Sequence, residues 1–209
     1  MTQQHKNEIR SHELPATSLD PKLQAARDEK IQVAMIGLCG CWGCTLSFLD
    51  MDENLLALLE KVTITRSSLT DIKRIPHRCA IGFVEGGVAN EENIETLEHF
   101  RENCDILISV GACAVWGGVP AMRNVVSLED CFQEAYIDSA TAIPDAKKTI
   151  PFHEDIPKIT TKVYPLHEVV KIDYFIPGCP PDADAIFKVL DDLVSGHEVN
   201  LPTSMNRYD

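Results

Sequence analysis

No apolar run in this 209-residue sequence approaches the roughly 18 residues that a bilayer-spanning helix requires. Membrane insertion is therefore not expected. The first thirty residues lack both the apolar core of a secretory signal and a twin-arginine export sequence, which predicts a cytoplasmic location. Basic charge is scarce: 19 Lys and Arg face 32 Asp and Glu, for a net charge of -13. Residues 1–30 carry five side chains of each sign, so the whole acidic excess lies in residues 31–209. Phosphate backbones would be repelled, and nucleic acid is not an expected partner. Neither G-x-G-x-x-G nor a Walker A sequence occurs; Gly37-Leu-Cys-Gly40-Cys-Trp-Gly43 is glycine-rich but wrongly spaced. A nicotinamide cofactor, if involved, should sit on a partner.

Internal repeats and low-complexity tracts are absent as well, and the length suits one domain core. Residues 1–30 read as a polar arm, with a short helix around Lys22 to Asp28. Residues 31–196 read as the globular domain and 197–209 as a tail. Short apolar runs predict strands at Ile31 to Gly37, Val62 to Arg66, Cys79 to Glu85, Asp105 to Val110 and Ile172 to Ile176. Helical spacing predicts one helix from about Thr45 to Glu60, with Phe48, Met51, Leu55, Leu58 and Leu59 inward. Two more follow at Glu91 to Arg101 and Asp182 to Val194, the last capped by Asp182 and ended by Gly196. Strands alternating with helices imply an α/β fold with a doubly wound parallel sheet. Between Asp138 and Val170 the periodicity fails among four prolines, and a contact surface is expected there.

What the chain does have is eight cysteines. Without export they are not a disulfide framework, so reduced thiols or metal ligands are the better reading. Four of them occupy strand ends: Cys41 and Cys44 as one C-x-x-C pair, then Cys113 and Cys179, each more than sixty residues from the one before. Structural zinc sites ordinarily use two local pairs, and only one exists here. Four soft thiolates spread along the chain suit an iron–sulfur cluster seated in a preformed fold. Zinc in a non-redox binding module, and unliganded buried thiols, remain alternatives on spacing alone. Cys44 and Cys179 are placed just ahead of helix N-termini, where an anionic centre is favoured. Nearby glycines allow close backbone approach and N–H donors to sulfur.

Cys39, two residues before Cys41, reads as a packed thiol or a spare ligand. Cys79 and Cys104, at strand starts, and Cys131, in a helix with Leu128 and Phe132, read as structural. Trp42 could shield the centre or anchor an interface. Glu85, closing a strand on the same edge, could bond a loop around the site or simply be a charged strand end. The seven histidines are assigned to no metal.

At these residues the chain resembles the small subunit of [NiFe]-hydrogenases, most of all the short cytoplasmic kind of bidirectional NAD-reducing enzymes. Gly40-Cys-Trp-Gly-Cys-Thr-Leu-Ser-Phe-Leu-Asp-Met51 is similar to that family's proximal-cluster signature. Val110-Gly-Ala-Cys-Ala114 and Ile176-Pro-Gly-Cys-Pro-Pro181 are similar to its third and fourth ligand segments. The resemblance implies a flavodoxin-like single domain holding one [4Fe-4S] cluster through Cys41, Cys44, Cys113 and Cys179. It further implies a Ni-Fe site on a large subunit and NAD on diaphorase flavin and Fe-S partners. Longer relatives add cysteines for two further clusters after the fourth ligand, whereas the thirty residues after Cys179 here contain none. The Fe-S subunit of quinone-reducing complexes is the rival family, but it typically has two adjacent cysteines in place of Cys41-Trp-Gly-Cys44. Flavodoxin-like architecture also admits FMN, for which no residue argues.

Overall fold

The computed structural model describes residues 30–70, 75, 78–141 and 148–206. The arm expected over residues 1–30 lies, except for Lys30, outside them, as does its short helix. The chain runs β1 (Ile31–Gly37), α1 (Gly43–Leu49), α2 (Glu53–Lys61), β2 (Val62–Ile64), β3 (Cys79–Glu85) and β4 (Val88–Asn90). It continues through α3 (Glu91–Asn103), β5 (Cys104–Val110), α4 (Ala112–Trp116), a 3-10 turn at Pro120–Val125 and α5 (Leu128–Phe132). Last come β6 (Ile159–Tyr164), β7 (Tyr174–Ile176) and α6 (Ala183–Val194). No helix among the described residues is long and apolar enough to cross a membrane.

Five strands form one parallel sheet in the order β2-β1-β3-β5-β7, while β4 and β6 pair as a separate antiparallel ribbon. Setting that ribbon aside gives the flavodoxin-like order 2-1-3-4-5. Strand residues alternate between two cores, one on each face. Val33, Met35, Ile81, Phe83, Ile108 and Val110 pack with Phe48, Leu58, Ile186 and Val189 from α1, α2 and α6. Ala34, Val84 and Leu107 pack on the other face with Leu97 and Phe100 from α3. Burial on both faces explains the near-continuous apolar strands, and each fully buried side chain contributes about 1.5–3 kcal/mol.

Helix ends follow local chemistry. The Asn90 side chain accepts from Asn93 N–H at 2.8 Å at the start of α3, with Glu91 and Glu92 in the first turn and Arg101 in the last. The Asp182 carboxylate caps α6, as predicted, and Gly196 follows its end with φ +72°.

Four expectations need correction. The single helix from Thr45 to Glu60 is two, because Asp52 takes φ +50° between α1 and α2. Asp competes for backbone hydrogen bonds and tolerates positive φ, so Asp50-Met-Asp52 breaks the helix while Met51 stays buried. The strand expected to reach Arg66 stops at Ile64 as regular structure, yet Thr65 N–H donates to Val33 O and Met35 N–H to Arg66 O. The strand expected from Ile172 likewise starts at Tyr174, although Asp173 N–H already donates to Leu107 O. Finally, the stretch from Asp138 to Val170 is not without regular structure, for β6 lies within it.

Candidate metal centre

Four loops decide the site, and hydrogen bonds join them in pairs. At the carboxyl end of β1, Leu38 N–H donates to Glu85 O, and Cys39 and Gly87 exchange two backbone bonds of 3.0 and 2.8 Å across to the end of β3. On the other side, Gly111 N–H after β5 donates to Ile176 O at the end of β7, and Ala112 N–H donates to Gly178 O. Sheet order reverses between β1 and β3, which is where an open parallel sheet leaves a crevice for a bound group. The cysteine loop after β1 and Glu85 at the end of β3 flank it.

Cys41, Cys44, Cys113 and Cys179 all lie on this edge. Cys41 and Cys179 are exposed, Cys44 and Cys113 half-buried. Cys44 is the second residue of α1 rather than a residue preceding it, and Cys113 is likewise the second residue of α4. Each of three glycines faces one sulfur. A Cβ on Gly43 would stand 3.3 Å from Cys41 Sγ, one on Gly111 2.2 Å from Cys44 Sγ, and one on Gly118 3.0 Å from Cys113 Sγ. Gly111, at φ +83°, has in addition a conformation that L side chains rarely adopt. Any side chain at these positions would fill the space that the sulfurs face.

Electrostatics point the same way. Burial pushes the Cys44 thiol well up, and the Glu85 carboxylate beside it pushes further, followed by Cys113 and Cys41. Burial raises Cys113 too, with Cys179, Cys41 and Cys39 adding to it. Burial and the neighbouring charges thus favour the neutral thiol at Cys44 and Cys113, and a cationic centre bound among these sulfurs would offset that preference. Among the described residues, no three His, Cys, Asp or Glu side chains converge tightly enough for a single ion. Cys41 and Cys44 come from the one segment after β1, and Cys113 and Cys179 from the segments after β5 and β7, an all-sulfur donor set of the kind that holds a polynuclear iron–sulfur group. The residues fit a [4Fe-4S] cluster.

Around them, Trp42 adopts φ +67° and lays its ring over Gly37, where a Cβ would come within 2.9 Å of it. Ser47 on α1 donates its hydroxyl to Pro181 O at 2.5 Å, tying that helix to the Cys179 loop, whose Cys179–Pro180 bond is cis. A groove of about 470 Å³ runs beside Cys179, lined by Ser47, Asp50, Pro181 and Asp182. Cys79 and Cys104 face one another in register at the opposite end of the sheet, far from this edge, and both are buried. The glycines near the cysteines were expected to allow close approach, but the facing of Gly111 to Cys44 was not foreseen; sequence reasoning missed Ser47 and Gly118 as parts of the site, and the Gly117-Gly118 pair after Trp116 was the available signal for the latter.

The model of the family described as NADH ubiquinone oxidoreductase, 20 kDa subunit, matches residues 41–193. The chain belongs to this family. It is 80% identical over 205 residues, covering 98% of both chains, to the delta subunit of the NAD-reducing hydrogenase HoxS of Cupriavidus necator. It is 39% identical over 179 residues to one subunit of the F420-non-reducing hydrogenase of Methanothermobacter marburgensis, matching 84% of this chain but 57% of that one. Among solved structures, a chain of an NAD+-reducing [NiFe]-hydrogenase in the H2-reduced state superposes with a TM-score of 0.82 at 43% identity, over 86% of this chain and 99% of that one. Within the family, then, the chain is a hydrogenase small subunit of the NAD-reducing type. A [NiFeSe] hydrogenase from Desulfovibrio vulgaris Hildenborough, with a TM-score of 0.52 at 17% identity, shares the fold.

Proposed function

We propose that this chain relays electrons, one at a time, through a single [4Fe-4S] cluster held by Cys41, Cys44, Cys113 and Cys179. The convergence of four cysteines on one sheet edge, three with a glycine facing the sulfur, carries this reading. Bound there, the cluster supplies one-electron storage. The chain's own residues provide the thiolates, the backbone that approaches them closely, and the Trp42 ring at the rim. H2 is split at a Ni-Fe site on a partner large subunit. Electrons then pass to flavin and Fe-S diaphorase partners, where NAD+ is reduced in the cytoplasm. The irregular stretch from Asp138 to Val170 is proposed as a contact surface, and residues 31–196 as the cluster domain.

Anaerobic purification of the complex, with iron, sulfide and nickel analysis and EPR on reduction, tests this reading. Cys113→Ser should remove one EPR signal, lower iron and sulfide together, and cripple H2-dependent NAD+ reduction. A variant with undiminished iron and an intact spectrum would overturn the ligand set. A colourless, zinc-loaded subunit would replace the relay with a non-redox module.

A further inference from the structure

Glu85 ends β3, beside β1 at the crevice, and is 3% exposed. The partners its two oxygens accept from are both uncharged: Cys44 N–H on Oε2 at 3.0 Å and the Thr45 hydroxyl on Oε1 at 2.5 Å. Both belong to the first turn of α1, so one carboxylate clamps the turn that aims Cys44. A buried carboxylate bonded only to neutral donors keeps its field, and the nearest sulfur feels it.

We propose that Glu85 is a positioning residue of the cluster edge: its oxygens fix the turn that carries Cys44, and its negative charge beside that sulfur holds the bound centre at a low potential. The inference rests on the ligand reading above. Adding an electron next to a fixed negative charge is disfavoured, and charge and hydrogen bonding around the sulfurs set cluster potential. Thr45 moderates the effect, because its hydroxyl draws off part of the carboxylate's charge.

Two substitutions separate charge from scaffold. Glu85→Gln keeps the shape and can still accept from Cys44 N–H while its amide donates to Thr45 Oγ1, so the charge alone is lost. Thr45→Val keeps the volume and removes only the moderating hydroxyl. The experiment is an EPR-monitored redox titration of the whole complex, following the signal that disappears in Cys113→Ser, with iron and sulfide measured on each sample. Glu85→Gln should make reduction easier by at least tenfold, a shift of about 59 mV upward for one electron. Thr45→Val should shift the potential in the opposite direction. Unchanged potentials at full iron content overturn the proposal, as do shifts of the same sign in both variants. Should Glu85→Gln fail to retain iron, Thr45→Val decides: a downward shift supports the proposal and an unmoved potential overturns it. Wild-type complex lacking iron at this signal would instead sink the ligand reading itself.

Discussion

Gly111 and Cys44 occupy one space: the hydrogen of the glycine faces the sulfur where a methyl group would lie 2.2 Å away. Gly111→Ala must therefore displace the thiol and also strain a backbone at φ +83°. The combined cost is about 2–5 kcal/mol. Iron content of the purified complex should fall steeply, and retention of full iron would show that the loop relaxes freely.

Ser47 and the Pro181 carbonyl form the link between α1 and the Cys179 loop. Ser47→Ala leaves that carbonyl buried without its donor, a loss of about 1–3 kcal/mol. The expected outcome is faster loss of iron to a chelator than in wild type, read by absorbance decay, with the fold preserved by circular dichroism.

Arg101 secures the amino end of the sheet. Its guanidinium donates to the Asp173 carboxylate at 2.6 Å, to the carbonyls of Cys104 and Asp105, and to that of Lys171. Burial pushes the Asp173 carboxyl up, but Arg101 and the Leu107 N–H outweigh it and hold the group below its ordinary value. A depressed carboxyl contributes stability that is complete above its unfolded pKa, near 3.9, and lost as pH falls through the folded value. Urea midpoints measured from pH 6 down to pH 2 should fall less steeply in Asp173→Asn than in wild type below about pH 4. Arg101→Ala should cost about 1–3 kcal/mol at neutral pH.

Asn124 closes the free edge of β6 as a neighbouring strand would. Its side-chain amide donates to Val163 O and its carbonyl accepts from Val163 N–H, at 2.9 and 2.8 Å. In Asn124→Ala, hydrogen exchange of the Val163 amide should accelerate about tenfold or more, corresponding to at least 1.4 kcal/mol, while amides of β3 stay protected.

Cys39 is held through its backbone bridge to Gly87 rather than through its sulfur. Cys39→Ala should keep the iron content of wild type, in contrast to Cys113→Ser. An equal loss of iron in both variants would enlarge the ligand set.

Much of this was legible in the chain because the physics was local. The bounds of β1 and β3 follow from uninterrupted apolar runs, and the α6 cap follows from Asp182 and Gly196. The edge location of the four cysteines follows from strand-then-loop placement in a parallel sheet. What was not legible depended on partners distant in sequence. The β6 strand hid among Pro157, Pro165 and polar residues, although Ile159-Thr-Thr-Lys-Val-Tyr164 has the alternation and β-branching of a strand once β4 is there to pair with it. The facing of Gly111 to Cys44, across 66 residues of chain, and of Ser47 to Pro181 left no mark that spacing could expose. Glu85 was visible as a strand-end acid, but its choice of Cys44 and Thr45 as partners was not.

The order in which the sheet is assembled has a further bearing. The C-x-x-C pair follows the first strand, while Cys179 follows β7, which is last in sequence and lies at the sheet's outer margin. The four-thiol edge is thus incomplete until synthesis has passed residue 179 and β7 has docked on β5. On the proposed ligand set, the complete binding edge is therefore a property of the assembled sheet and not of the C-x-x-C segment alone, which without β7 in place would have no Cys179 beside it.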